Sequence, residues 1–74
     1  MVQRFTSGDK LLVRQCMVFG CYADGRTAGR IDGEAVTFVR RLPRTQGRLI
    51  PLAEVVRPNG ETVSVDPRYL TRPS

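Results

Sequence analysis

Apolar and polar residues alternate with a period of two along most of this chain. In Ala35–Leu42, Val36, Phe38 and Leu42 share one face of an extended strand, and Thr37, Val39 and Arg41 share the other. In Leu49–Val56, Ile50, Leu52 and Val56 line up opposite Leu49, Pro51, Ala53 and Val55. Val63 and Val65 share a face further on, and no window of eleven residues carries a helical period. Turn chemistry separates these runs. Asn59-Gly60 lies between Leu49–Arg57 and Glu61–Val65, and Asp32-Gly33 lies between Arg26–Ile31 and Glu34–Leu42. Both dipeptides favour the positive φ angles of tight hairpins. Asp24-Gly25 is a third such turn, and Pro43–Gly47 is a longer polar break. Four breaks predict a meander of five strands. Pro51 has no N–H for a ladder and belongs at an edge or bulge.

Asp66 is a capping residue and Pro67 suits the first helical position, so Asp66–Leu70 reads as one 3₁₀ turn. Tyr69 or Leu70 then folds back onto the core. Five short strands leave two exposed edges, and closure into a barrel removes them. The opening strand Gly8-Asp9-Lys10-Leu11-Leu12-Val13 leads to Ala28-Gly29-Arg30-Ile31, Val36-Thr37-Phe38-Val39 and Val63-Ser64-Val65. In this order the chain resembles an SH3-like small barrel of the KOW or Tudor-like kind. The resemblance implies an all-β fold in one domain over residues 8–70, with frayed ends at 1–7 and 71–74. A barrel of the OB type is the alternative.

Composition changes the picture mainly by exclusion. The 74 residues include no histidine, which removes Ser-His-Asp and Cys-His catalysis and most zinc sites. Asp24 and Asp32 precede glycine and serve turns, and the other carboxylates show no acid/base spacing. Type II dihydrofolate reductases are similar in length and opening strand, but their Val-Gln-Ile-Tyr motif is Val63-Ser64-Val65-Asp66 here. The reading is therefore of a non-enzyme without cofactor or metal. Cys16 and Cys21 are the only cysteines; on one strand they lie on opposite faces, roughly 17 Å apart, and bridge only if the chain folds back between them. They read as two buried free thiols in a reducing cytoplasm. Met1–Lys10 lacks the apolar core of a secretory signal, and the longest uncharged apolar stretch, Gln15–Ala23, is too short to span a bilayer.

Charge supplies the first candidate site. Lys+Arg is 12 against Asp+Glu 7, a net +5, and every basic residue except Lys10 is arginine. Between Glu34 and Glu54 there is no acid, while Arg40, Arg41, Arg44 and Arg48 flank the Pro43–Gly47 break. Four guanidinium groups converging on one loop form a phosphate-contact patch for DNA or RNA, non-specific in sequence, which Arg30 and Arg57 extend. The plainer alternative is that these are solvated strand-end charges that keep an edge from aggregating. No aromatic lies among them to stack a base.

The second candidate is apolar. Cys16-Met17-Val18-Phe19-Gly20-Cys21-Tyr22 is apolar on both faces of an extended strand, yet a domain this small has only one interior. The face left over, with Met17, Phe19 and Tyr22, reads as an interface for a homodimer or a larger protein partner. A bulge at Gly20 that turns part of the run inward is the plainer alternative.

Overall fold

The computed structural model describes residues 4–42 and 52–73. Seven strands form one antiparallel sheet: β1 (Lys10–Val13), β2 (Phe19–Cys21), β3 (Thr27–Arg30), β4 (Ala35–Arg41), β5 (Ala53–Val56), β6 (Thr62–Val65) and β7 (Leu70–Thr71). Their spatial order is β3-β2-β6-β5-β4-β1-β7. Among the described residues no ladder joins β3 to β7, so the sheet is open. The fold is all-β as the alternation predicts, but the five-stranded SH3-like barrel is not formed, nor any closed barrel.

The two additional strands have local causes. The first apolar run does not stay extended from Gly8 to Ala23. It bends at Gln15–Met17, where the Cys16 N–H donates to the Arg14 carbonyl at 2.9 Å, a three-residue turn that splits the run into β1 and β2. The seventh strand follows the 3₁₀ turn Pro67–Tyr69, where Leu70 and Thr71 pair with Val13 and Leu12. Asp66 caps that turn by accepting from the Arg68 N–H at 2.9 Å.

The turns divide by what they connect. Asp24-Gly25 closes the β2–β3 hairpin and Asn59-Gly60 the β5–β6 hairpin. At the latter, the Gly60 N–H donates to the Arg57 carbonyl at 2.9 Å and the Arg57 N–H to the Glu61 carbonyl at 2.7 Å. The loop is thus three residues, and only Gly60, at φ 90°, takes the left-handed conformation. Asn59 keeps a negative φ and accepts the Glu61 N–H on its side chain at 2.9 Å. Asp32-Gly33 is a turn but not a hairpin. It carries the chain from the β3 edge to the interior strand β4, between β5 and β1, with Leu11 of β1 opposite Val36.

One face of the sheet holds the core: Leu11, Val13, Val36, Phe38, Ala53, Val55, Val63, Val65 and Leu70, joined by Val18 and Ile31 from the connections. Val36 with Phe38 and Val63 with Val65 face inward together, as their spacing requires. Phe5, Tyr22, Ala28 and Tyr69 pack against its margins. Phe5 meets Phe38 with ring centroids 5.8 Å apart, and the Arg72 guanidinium lies 5.4 Å from the Phe5 ring while donating to the Arg4 carbonyl. The cysteines are free, but Cys16 is exposed and Cys21 half-buried, which corrects the expectation of buried thiols. The bend that ends β1 leaves Cys16 outside the sheet.

Candidate interaction surface

The exposed apolar surface follows from one buried residue and one glycine. Val18 is buried in the core, and its carbonyl accepts from the Ile31 N–H at 3.0 Å. With Val18 turned inward, Met17 before it and Phe19 after it must point outward. Met17 is 72% exposed and Phe19 47%. Gly20 then returns to the interior, where a Cβ would stand 3.1 Å from Val63 Cγ2 and 3.4 Å from Ile31 Cδ1. A side chain at position 20 would press on Val63, and glycine lets β2 meet it with backbone alone. The register shift beside Gly20 confirms an irregularity there, but the extra residue belongs to β3 and leaves Phe19 outward.

Phe19 lies opposite Arg30 across the β2–β3 ladder. The Arg30 guanidinium is turned to Asp32, with Nε 2.9 Å from Oδ1 and Nη2 3.0 Å from Oδ2. This hydrogen-bonded pairing holds the Asp32 carboxyl below its ordinary pKa and raises that of Arg30. The charges flanking Phe19 are therefore mutually satisfied. Tyr22, the third residue of the predicted interface, is half-buried and donates its hydroxyl to both Glu61 oxygens at 3.1 and 3.2 Å. That bond to a carboxylate raises its pKa. Leu12, at 38% exposure, is a further outward apolar residue, on the far side of the sheet in β1.

Of the predicted arginine patch, Arg30, Arg40 and Arg57 are each paired with a carboxylate. Arg40 donates to Glu54 at 2.9 Å, Arg30 is held by Asp32, and Arg57 grips Glu34 through Nε at 2.9 Å and Nη2 at 2.8 Å. Arg57 also reaches Glu61 at 3.1 Å, so one half-buried guanidinium binds two carboxylates from different turns. The Arg57 hydrogen bonds hold the Glu34 carboxyl below the usual carboxylate range. Arg44 and Arg48 lie outside the described residues. Arg41, at the end of β4, is exposed and has no carboxylate partner.

The same accounting extends over the molecule. Asp9, Asp24 and Asp66 pair with Arg72, Arg26 and Arg68, so all seven Asp and Glu side chains pair with six arginines. Among the described residues Arg4, Lys10, Arg14 and Arg41 are left to carry uncompensated charge. Also among them, no three carboxylates or thiols converge as metal ligands, and no helix is long and apolar enough to cross a membrane. No protein-family model matches this chain, and no curated protein or solved structure matches it significantly.

Proposed function

We propose that this chain is a protein-interaction module that docks a partner through the outer face around β2, with Met17 and Phe19 as anchors. The carrying observation is the outward pair itself: two large apolar side chains, 72% and 47% exposed, on either side of a buried Val18. Exposed apolar side chains set close together are what protein interfaces are built on, and aromatic and Met side chains are the enriched anchors. The sheet edges are less suited to docking. β3 carries a bulge and β7 has two residues, both devices that discourage strand addition. Side-chain docking on the face is then the mode that remains.

A photo-crosslinking residue at position 17 tests this in the native host, with the same residue at Lys10 as control. A covalent protein adduct from position 17 and none from position 10 supports the reading. Equal labelling from both positions, or none, refutes it.

Non-specific phosphate binding is a second reading, carried by Arg41 together with Arg44 and Arg48 close by in sequence. With Arg30, Arg40 and Arg57 already paired, three phosphate contacts give a slope of log affinity on log salt of about −2 to −3. A flat salt response, or no binding of random DNA and RNA at low salt, removes it.

A further inference from the structure

We infer that Asn59 is a site of self-modification that the Glu61 carboxylate holds closed. Asn59 is the chain's only asparagine, and it precedes the glycine of the β5–β6 turn. An asparagine in that setting can lose its amide by attack from within the chain, because glycine sets no side chain beside its own backbone nitrogen. The Gly60 nitrogen gives its proton to solvent and bonds to Asn59 Cγ. The Cγ–Nδ2 bond then breaks, and Nδ2 takes a proton from solvent and leaves as ammonia. Water opens the resulting cyclic imide at either carbonyl, which yields aspartate or isoaspartate; nothing is oxidised or reduced. Water reaches this turn freely, since residues 58–62 are exposed and no atom lies within 4 Å of where a Gly60 Cβ would stand.

Hydrogen bonds, not bulk, hold the reaction off, and they engage every atom it needs. The Gly60 N–H donates to the Arg57 carbonyl at 2.9 Å, Asn59 Nδ2 donates to Glu61 Oε1 at 3.2 Å, and Asn59 Oδ1 accepts the Glu61 N–H at 2.9 Å. Swinging Cγ onto the Gly60 nitrogen gives up these bonds. Glu61 is itself fixed from two sides, by Arg57 Nη1 at 3.1 Å and by the Tyr22 hydroxyl at 3.1 and 3.2 Å. Arg57 in turn is held on Glu34, so the guard on Asn59 is the end of a run of contacts that begins beside the Asp32-Gly33 turn. The change is one-way. It puts a carboxylate where Nδ2 met Glu61 Oε1, so like charges face each other and that bond does not re-form. A turn that has opened and reacted stays marked.

The test ages the folded chain in mildly alkaline buffer and follows the tryptic peptide 49–68, in which Asn59 carries the only side-chain amide. Mass spectrometry reads the loss of the amide, and enzymatic methylation of isoaspartate identifies the rearranged product. Glu61→Ala should lose the amide roughly five- to tenfold faster than the wild type, the equivalent of one hydrogen bond. The wild type unfolded in urea should be faster still. Asp66→Ala loosens the fold at the far end of β6 and should keep the wild-type rate. Asn59→Asp, equivalent to one product, should melt a few degrees below the wild type, and high salt should narrow that difference. Equal rates in the wild type and Glu61→Ala overturn the guard. Equal acceleration by Asp66→Ala also overturns it, because general loosening is then the cause. A peptide that keeps its amide even in urea overturns the site itself, and an Asn59→Asp chain that melts with the wild type overturns the one-way change.

Discussion

Replacing Arg57 with alanine removes the one guanidinium among the described residues that holds two carboxylates at once. Its side chain is 14% exposed and that of Glu34 27%, so the two hydrogen bonds between them are partly withdrawn from water. Charge-assisted bonds of this kind contribute about 1.5–3 kcal/mol, including the cost of the group left behind. The Glu61 contact is more open and adds little. Arg57→Ala should therefore cost about 2 kcal/mol at neutral pH, which for a domain of this size lowers Tm by roughly 8–16 °C.

The effect carries a pH signature. The folded-state pKa of Glu34 is depressed, so its contribution is fully present above its unfolded value of about 4.3 and is lost as pH falls through the folded value. The gap between wild type and variant should therefore narrow as pH falls from 7 toward 3. Glu34→Gln on the Arg57→Ala background should cost less than on the wild type, because the two residues act as one unit. Thermal and urea unfolding followed by circular dichroism measure all three quantities. A Tm change under about 2 °C at pH 7, or a gap undiminished at pH 3, would refute the clamp.

Gly20→Ala sets a methyl against Val63 Cγ2 and Cβ, at 3.1 and 3.2 Å, and should destabilise by about 1–3 kcal/mol in urea unfolding. Val63→Ala in the same chain should return part of that loss. Asp66→Ala removes the cap of the Pro67–Tyr69 turn, at a cost of about 1 kcal/mol. The Arg68 hydrogen bonds depress the Asp66 pKa, so this loss should be complete above the usual carboxylate range and fade in acid.

Which features could be read from the sequence depended on how far apart the interacting residues lie. Alternation placed Val36, Phe38, Val63 and Val65 on inward faces, because side-chain direction in a strand is a local property. The glycine turns were also legible, since each needs only its own four residues. Their consequences were not. Asp32-Gly33 and Asn59-Gly60 look alike as dipeptides, yet one ends a hairpin and the other crosses the sheet. The difference lies in β1, whose pairing with β4 spans more than twenty residues.

The arginines repeat that pattern. Asp24 with Arg26, Arg30 with Asp32 and Asp66 with Arg68 are two residues apart, within reach of one another along an extended or capped segment. Those pairs were open to inspection. Glu34 with Arg57 and Arg40 with Glu54 are 23 and 14 residues apart, and only the ladders bring them together. A patch read from the spacing of arginines alone therefore counted cations that the fold had already paired. In the apolar run, an excess of apolar residues over one interior is visible in composition, and the exposure of Met17 and Phe19 follows from it.

The order β3-β2-β6-β5-β4-β1-β7 also constrains how the chain can be made. β1 has both its neighbours downstream, and its far partner Thr71 lies 59 residues beyond Leu12. β2 leans on Ser64, 43 residues ahead of Cys21. A chain emerging from the ribosome in sequence order can close the β2–β3 hairpin early, but it cannot shelter Leu11 or Val13 until β4 has emerged. Val18 and Ile31 wait longer, for β6. Closing such long loops before any reward is what slows non-local β folds to milliseconds or seconds. Until then the first half of the chain exposes both its future core and an unpaired strand edge. Co-translational protection of this segment matters more than its small size suggests.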